Sequence, residues 1–278
     1  MRILQLSDPH LLADPGGRCR GRLSLARLRE GLLQSLARLA DEGTPPDLLL
    51  LSGDLCQDES WGGYARLREL LGARPDLPTV ALLPGNHDHP LFLRAALGRQ
   101  AVIAPACLPL GPLPDSWRLL LLDSHLPGRV EGRLGEAQRI WLEDQLAAAV
   151  ADGAPLLLAV HHPPAPIGDP MLDAISLWDG PALLELVATA PVVRALVFGH
   201  IHQYWRGSLP GLPGRLLLGC PSSLAPFGPV QPCPLGRPQD PGALLLDLSA
   251  TGEIRHRLLR WRSADAPSVE PSHLIPGP

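Results

Sequence analysis

Short apolar runs alternate with longer amphipathic stretches over most of the chain. The short runs are rich in leucine and end at polar or glycine positions, a pattern typical of buried β-strands. The longer stretches repeat leucine at three- and four-residue steps, as from Leu25 to Leu39, which places these leucines on one face of a helix. The pattern predicts strands at 3–6, 47–51, 79–83, 117–122, 156–160 and 192–198, and helices at 25–39, 60–71, 136–150 and 182–188.

The pattern changes after residue 205. Only short apolar runs separated by Gly and Pro remain, at 215–218, 243–248 and 253–261, and they predict an antiparallel meander. We find no internal repeat and no long linker between two core-forming halves. We therefore expect an α/β fold with a single domain over residues 1–262. The polar, Pro-rich residues 263–278 are expected to form a flexible C-terminal tail.

Composition and charge exclude several classes of protein. Hydrophobic residues make up 45% of the 278 residues, so the chain can bury a core and is not expected to be disordered. The formal net charge of −4 gives no overall positive field, so we expect no nucleic-acid partner. No apolar run reaches the roughly 18 residues of a membrane span, so we expect no membrane partner. The N-terminus lacks the features of a signal peptide, and the five cysteines form no CxxC pair; both favour a cytoplasmic location with reduced thiols.

Clusters of His, Asp and Asn follow five of the predicted strands. In open α/β sheets ligands bind beyond the carboxyl ends of the strands, so these five clusters are expected to converge on one edge. The clusters are Ser7-Asp8-Pro9-His10, Ser52-Gly53-Asp54, Pro84-Gly85-Asn86-His87-Asp88, His161-His162-Pro163-Pro164 and Gly199-His200-Ile201-His202.

The spacing and chemistry of these side chains indicate a metal site. Residues i and i+2 of an extended chain project to the same side, so Asp8 with His10, and His200 with His202, can each present two ligands to one point. A glycine stands before three of the polar side chains and allows a sharp turn and a close approach to a small ligand. Imidazole, carboxylate and amide ligands without thiolate suit Mn, Fe, Zn, Co or Ni. Seven ligands suit two divalent or trivalent ions about 3.5–4 Å apart, the arrangement used for displacement at phosphorus.

The five motifs, in this order, resemble those of the calcineurin-like metallophosphoesterase superfamily: DxH, GDxx, GNHD/E, a lone His and GHxH. The resemblance covers residues 3–262 and is closer to the bacterial class III cyclic-nucleotide phosphodiesterases, through stretches such as Leu51-Ser52-Gly53-Asp54-Leu55-Cys56-Gln57-Asp58 and Gly199-His200-Ile201-His202-Gln203. It implies a four-layer α/β/β/α sandwich. It also implies hydrolysis of 3′,5′-cyclic AMP, or a related cyclic nucleotide, to the 5′-nucleotide by a hydroxide that bridges two metal ions.

Carried over residue by residue, the resemblance implies a complete site. Asp54 bridges both ions, and the first histidine of the doublet, His161, is preferred to His162. His87 matches the histidine beside the phosphate, so His87, Asp54 and Asn86 are the expected catalytic residues, and His87, Asn86 and His202 the expected substrate contacts. The implied ligands are Asp8, His10 and His202 for the first ion, and Asn86, His161 and His200 for the second.

Some positions depart from the pattern of the relatives. Cys56 stands where a small apolar residue is usual, and a site sensitive to oxidation is one reading of it. The Pro-rich loop 226–241 is only loosely similar and is expected to flank the substrate pocket, which leaves the base preference open. Phe227 and Trp178 lie on loops near the expected site and are candidates for stacking against a purine.

Other functions remain compatible with these motifs. The site chemistry suits another phosphodiester, a pyrophosphate bond or a phosphomonoester nearly as well as a cyclic nucleotide. A non-catalytic scaffold on the same fold would be marked by degenerate ligands, whereas all seven ligand positions are intact. A nuclease would be expected to have a basic groove, which the charge pattern does not indicate. The exposed meander could pair with a second subunit, so a homodimer is possible.

Overall fold

Two six-stranded mixed sheets form the centre of the computed structural model, which describes residues 1–111 and 116–262. The predicted tail, 263–278, lies outside the described residues. In spatial order the first sheet contains β14 (Ile254–Arg260), β13 (Gly242–Leu248), β1 (Arg2–Leu6), β4 (Leu48–Ser52), β5 (Thr79–Leu83) and β6 (Val102–Ile103). The second contains β11 (Trp205–Leu209), β12 (Leu212–Gly219), β10 (Val193–Phe198), β9 (Leu156–Ala159), β8 (Arg118–Leu121) and β7 (Ala106–Pro109).

Helices cover the outer face of each sheet. The first sheet packs against α1 (Ser24–Asp41), α2 (Trp61–Gly72) and α3 (Pro90–Leu97). The second packs against α4 (Gly135–Asp152), α5 (Pro170–Asp173) and α6 (Gly180–Thr189). A separate short hairpin is formed by β2 (Arg18–Cys19) and β3 (Arg22–Leu23).

The period-two alternation of the strands builds three apolar layers. In β1, Ile3 points between the two sheets while Leu4 points towards the helices. In β4, Leu50 lies between the sheets and Leu49 packs under the helices. Both faces of these central strands are therefore buried, which explains their continuous leucine runs. The predicted four-layer α/β/β/α sandwich is confirmed.

Local signals set the ends of several elements. The side chain of Ser60 caps α2 by accepting a hydrogen bond from the amide of Gly63 at 3.1 Å. Helix α4 ends at Gly153, whose φ of 67° is the left-handed conformation that glycine adopts without steric cost. Because these signals are encoded locally, the predicted helices at 60–71 and 136–150 agree closely with the observed ones.

The prediction of a single C-terminal meander is wrong. Strand β12 pairs in parallel with β10 and antiparallel with β11, at one edge of the second sheet. Strand β13 pairs antiparallel with β1 and β14, at one edge of the first sheet. The last four strands therefore form two hairpins that extend different sheets. Alternation along a strand shows which faces are buried but does not identify the neighbouring strand.

Parallel pairing brings five strand ends to one edge of the sandwich. Strands β1, β4 and β5 run parallel in the first sheet, and β9 and β10 run parallel in the second. Polar contacts join the two sheets at this edge. The backbone amide of His200 donates to Asp8 Oδ1 at 3.1 Å, and His161 Nδ1 lies 2.8 Å from the carbonyl oxygen of Ser52. We call this shared edge the rim. No helix within the described ranges is long and apolar enough to cross a membrane.

Candidate metal centre

The first group of predicted ligands lies buried at the rim, with one ligand atom from each residue within 4.8 Å of all the others. The group consists of Asp8, His10, Asp54 and His202. The Nε2 atoms of His10 and His202 are 3.0 Å apart. His10 Nε2 is 3.7 Å from Asp54 Oδ2, and His202 Nε2 is 3.5 Å from Asp8 Oδ1. Imidazole nitrogens and carboxylate oxygens therefore point towards a common centre.

Asp54 also faces the second group of predicted ligands. Asp54 Oδ1 lies 3.4 Å from Nε2 of His161, whereas the other carboxylate oxygen, Oδ2, faces His10. Close by, His200 Nδ1 lies 3.0 Å from Asn86 Oδ1. The structure thus places Asp54 between two clusters of ligand atoms, with one carboxylate oxygen directed to each.

His162 lies as close to this second group as a ligand would. One ligand atom from each of His161, His162 and His200 lies within 4.8 Å of the others. However, His162 Nδ1 is 2.8 Å from the hydroxyl of Ser124 and its Nε2 is 3.0 Å from the carbonyl oxygen of Val130, so both ring nitrogens are occupied. By contrast, Nε2 of His161 makes no hydrogen bond to any described residue. Of the two neighbours, His161 alone has a ring nitrogen available to a metal ion.

Asn86 and His87 form the half-buried side of the site. The backbone amide of His87 donates a hydrogen bond to Asp54 Oδ1 at 3.0 Å. The ring centroids of His87 and His10 are 5.2 Å apart. The side-chain amide of Gln57 lies with its nitrogen 3.2 Å from His87 Nδ1. Because this amide nitrogen donates, Nδ1 of His87 accepts, and the proton of the neutral ring is on Nε2. His87 is therefore held as a proton donor through Nε2.

Sequence reasoning missed the support behind His87. The thiol of Cys19, on the short hairpin, donates to Gln57 Oε1 at 3.4 Å and so orients the Gln57 amide. Gln57 belongs to a stretch that carried the family resemblance, which is the one signal that could have identified it. Nothing in the sequence connects Cys19 to the site, because the two-residue strands of its hairpin are too short to show a pattern.

Burial keeps most of the predicted imidazole ligands neutral at pH 7. It lowers the pKa of His10 to about 4 and that of His200 to about 3. Burial also lowers the pKa of His202 well below its ordinary value, and the neighbouring imidazole of His10 adds to that effect. A histidine must be unprotonated to bind a metal ion, so these three rings are in the form that binding requires.

The two carboxylates and His161 show that the site favours a buried positive charge. Burial raises the pKa of Asp8 to about 7. Burial also acts to raise the pKa of Asp54, but the neighbouring His161 outweighs it and holds that pKa well below its ordinary value. Burial lowers the pKa of His161, yet the charges of Asp54 and Asp8 outweigh it and raise the pKa to about 9. The carboxylates thus create a negative potential in the centre of the site.

Several buried polar atoms at the rim are satisfied by no hydrogen bond within the described residues. Such atoms are rare in folded proteins, and a metal ion is one partner that satisfies them. The atoms are Asp8 Oδ2, His161 Nε2 and His200 Nε2. With the negative potential and the nitrogen and oxygen ligands, they fit divalent cations such as Mn, Fe, Zn, Co or Ni.

Five of the seven predicted ligands have a backbone conformation that residues other than glycine rarely adopt. Each has a φ between 47° and 66°, in the left-handed region. Such conformations cost of order 1–3 kcal/mol each and cluster at functional sites, where the surrounding structure enforces them. The five residues are Asp8, His10, Asp54, His200 and His202. The chain turns sharply at the end of each strand and directs these side chains inwards.

The glycines before the site residues provide space. A Cβ atom at Gly53 would lie 2.2 Å from Nδ1 of His161, and Gly53 has a φ of 102°. A Cβ atom at Gly85 would lie 2.2 Å from Oδ1 of Asp54. At Gly199 it would lie 2.1 Å from the hydroxyl of Ser7. These contacts are closer than any side chain allows, so the expected close approach at these glycines is confirmed.

Asp88 fastens two of the site loops to each other. Its carboxylate accepts hydrogen bonds from the amides of Leu55 and Cys56 at 3.0 Å, from the amide of Gly85 at 2.8 Å and from the hydroxyl of Tyr64 at 3.0 Å. Burial, with the charge of Asp54, raises its pKa to about 6. Asp88 therefore positions the loops that carry Asp54 and Asn86.

The departures from the family pattern have local roles. Cys56 is buried, and burial with a hydrogen bond to Asp58 raises the pKa of its thiol to about 12, which disfavours the reactive thiolate. Oxidation sensitivity at Cys56 is therefore not supported. Phe227, in the Pro-rich loop, stacks on the ring of His202 at 4.2 Å, whereas Trp178 is 67% exposed.

Known proteins resemble this chain in sequence. The model of the calcineurin-like phosphoesterase family matches residues 1–204. The chain is 46% identical over 95% of its length, and 98% of the relative's, to a probable cyclic nucleotide phosphodiesterase of Synechococcus sp. (strain WH7803). It is 35% identical to the 3′,5′-cyclic adenosine monophosphate phosphodiesterase CpdA of Pseudomonas aeruginosa, over 82% of this chain and 78% of the relative.

Solved structures with low sequence identity share the fold. A dimetal phosphatase of Danio rerio aligns with a TM-score of 0.60 and 13% identity. The alignment covers 94% of this chain and 99% of the phosphatase. The inner-membrane-complex anchor of Plasmodium aligns with a TM-score of 0.61 and 13% identity, over 95% of this chain and 89% of its own. One fold thus accommodates both a phosphatase and a protein described as an anchor, so the fold alone does not assign a function. The family match and the identity to curated relatives confirm the predicted membership: the chain belongs to the calcineurin-like phosphoesterase family.

Proposed function

We propose that this protein is a dinuclear metal-dependent phosphodiesterase that hydrolyses 3′,5′-cyclic AMP, or a related cyclic nucleotide, to the 5′-nucleotide. One observation carries the proposal. The two carboxylate oxygens of Asp54 face two separate groups of ligand atoms, at His10 on one side and His161 on the other. The names of the relatives, which describe cyclic nucleotide phosphodiesterases, support the substrate.

The seven ligands divide between two metal positions, with Asp54 shared. Asp8, His10 and His202 would hold the first ion, and Asn86, His161 and His200 would hold the second. Mutual distances of 3.0–3.7 Å between these atoms support the division. Bound ions supply positive charge for the phosphate oxygens and lower the pKa of the attacking water. The lack of thiolate leaves Mn, Fe, Zn, Co and Ni as candidates.

His87 serves as the proton donor on the half-buried side of the site. Gln57 keeps the neutral ring protonated at Nε2, which can donate to a phosphate oxygen or to the departing 3′-oxygen. Asn86 directs its oxygen to His200 and so leaves its amide nitrogen for the substrate. We place His87, Asn86 and His202 in contact with the substrate, and His87, Asp54 and Asn86 in the catalytic set.

A panel of phosphate esters tests the proposal on the Mn-loaded protein. The panel contains cyclic AMP, cyclic GMP, 2′,3′-cyclic AMP, bis(p-nitrophenyl) phosphate and the monoester 5′-AMP. We expect the highest kcat/KM for a 3′,5′-cyclic nucleotide, with the 5′-nucleotide as the product by chromatography. Turnover of the generic diester or the monoester alone would refute the cyclic-nucleotide assignment and favour another phosphoesterase.

The remaining expectations from the sequence stand as proposals. We place the protein in the cytoplasm, with a single domain over residues 1–262 and no nucleic-acid partner. A homodimer would form through an edge strand, either β14 or β11, which lie at the ends of their sheets. Sedimentation of the purified protein at several concentrations tests the dimer. A single monomeric species throughout would exclude it.

A further inference from the structure

The hairpin formed by β2 and β3 carries an arginine at a position that suits few residues. Arg20 and Gly21 form the two-residue turn between paired Cys19 and Arg22. Both turn residues have positive φ, 50° at Arg20 and 73° at Gly21. Turns of this kind favour Asn or Gly at the first position, because a longer side chain is strained there. Arginine is therefore an uncommon residue at this position of the turn.

The side chain of Arg20 extends this hairpin to the candidate metal centre. Its guanidinium carbon lies 4.5 Å from the ring centroid of Phe227. The Phe227 ring also stacks on the imidazole of His202, with 4.2 Å between the ring centroids and 4° between the ring planes. Since the imidazole covers one face of the Phe227 ring, the guanidinium lies over the other. Phe227 thus holds Arg20 beside the first group of ligands and has no face left for a purine.

The charge of Arg20 has no ion-pair partner among the residues that the structure describes. Within residues 1–111 and 116–262, no carboxylate forms an ion pair with it, and the side chain is exposed. An exposed guanidinium with free N–H groups, fixed by a cation–π contact at the entrance to a phosphate site, is suited to bind an anion.

We propose that Arg20 is a substrate-binding residue that contacts the anionic phosphodiester, with Phe227 as the residue that positions it. This inference rests on the proposed function for the identity of the substrate. It adds a group outside the five family motifs, supplied by the hairpin and by the Pro-rich loop, both of which lie outside the predicted elements. The phosphate would then be bound by the metal centre on one side and by Arg20 on the other.

The test compares Arg20→Asn with a matched control. Asn suits the left-handed turn, so Arg20→Asn is expected to keep or raise the unfolding temperature while it removes the charge. The control is Arg237→Asn, since Arg237 is also an exposed arginine with positive φ (51°), but its guanidinium pairs with Asp240 at 2.8 Å. Arg20→Lys keeps the charge without the planar group.

We expect Arg20→Asn to raise KM about 10- to 100-fold for both cyclic AMP and bis(p-nitrophenyl) phosphate with little change in kcat, because a charge-assisted contact to the phosphate is lost. Arg20→Lys should recover part of the loss, Arg237→Asn should show none, and added salt should weaken the wild type more than Arg20→Asn. Unchanged kinetics in Arg20→Asn, an equal loss in Arg237→Asn, or a loss on cyclic AMP alone would overturn the proposal.

Failure of the proposed function gives a different result. If the wild type cleaves neither substrate, calorimetric titration of the Mn-loaded protein with inorganic phosphate still tests Arg20. Weaker phosphate binding in Arg20→Asn than in Arg237→Asn would support the anion contact. Equal binding in the two variants would overturn it.

Discussion

The charged side chains at the two ends of the first sheet differ in burial and in pairing. At the rim, Asp8 and Asp54 are buried and face histidines across 3.4–3.7 Å. At the far end of the same strands, Arg2 pairs with Asp247 at 2.8 Å, with both side chains about one-third to one-half exposed (35% and 44%). The far-end charges neutralise one another in solvent, whereas the rim charges are removed from water and lack a full set of partners.

This difference separates a functional site from an ordinary charged surface. The far end also contains an open cavity of about 740 Å³, whose lining includes the paired Arg2 and Asp247 and the paired Glu42 and Arg257. Concavity alone would therefore place the site at the far end. Burial, unsatisfied polar atoms and left-handed backbone occur together at the rim, and they indicate a requirement for a cation that the far end does not share.

The largest expected effect is the loss of the shared ligand at the rim. Asp54→Asn keeps the size of the side chain, and Asn tolerates the φ of 49°. We expect kcat/KM for metal-dependent phosphodiester hydrolysis to fall by at least about 10²–10³-fold while the fold is retained. Metal content by mass spectrometry should fall as well.

A matched surface variant controls for the lost charge. Asp76 is exposed and pairs with Arg74 at 2.6 Å, so Asp76→Asn should leave both activity and metal content unchanged. Full activity of Asp54→Asn with added Mn would contradict the two-metal assignment.

Removal of bound metal should destabilise the rim and spare the far end. A ligand that binds only the folded state adds about 2.7 kcal/mol when its free concentration is 100 times its Kd. We expect a chelator to lower the unfolding temperature and to speed amide hydrogen exchange in the loops after β1, β4 and β10. Exchange at β13 and β14 near Asp247 should change little, and a uniform increase along the chain would argue against a localised metal site.

A smaller effect is expected at Gln57, which contacts the ring of His87. Gln57→Leu removes the amide that fixes the protonated nitrogen of His87. We expect kcat to fall on the order of tenfold, with a changed pH profile but unchanged metal content, because Gln57 acts through the proton donor. Gln34→Leu is the control, since Gln34 contacts Glu30 on an exposed helix face. Loss of metal from Gln57→Leu would instead indicate a general structural defect.

The smallest effect is expected at the far end. Hydrogen bonds from Arg257 and Arg38 lower the pKa of Glu42 to about 2, below its ordinary value of 4.5. The resulting stabilisation is therefore present above pH 4.5 and is lost as the pH falls towards 2. Because the pair is exposed, Glu42→Gln should lower Tm by no more than about two degrees at pH 7, and less in high salt. The difference from the wild type should shrink at pH 3.5, and a growing difference would refute this sign.

Much of the fold was predictable because each central strand is buried on both faces. The leucine runs around Leu4, Leu50 and Leu158 identify the strands, and their polar ends identify the rim. The convergence of the five clusters follows from parallel pairing, which the alternation of strands and helices already indicated. The strand pairing of residues 205–260 was not predictable, because hairpins of similar composition extend different sheets.

The support around the site was less predictable than its ligands. The ligands form local motifs, whereas Cys19, Gln57 and Phe227 reach the site through contacts between distant segments. Helix α3 was also missed, because its eight residues, Pro90–Leu97, are too few to show a clear helical period. Such features depend on tertiary packing and leave no periodic trace in the sequence.

The left-handed backbone at five of the predicted ligands also bears on how such a protein would change if its reaction were no longer needed. Glycine adopts this conformation without steric cost, and Asn tolerates it better than other residues. If metal binding no longer required Asp or His at these positions, their replacement by Gly or Asn would stabilise the fold. Descendants that have become binding proteins on this scaffold should therefore carry Gly or Asn at positions 8, 10, 54, 200 and 202. In this chain Asp or His stands at all five positions.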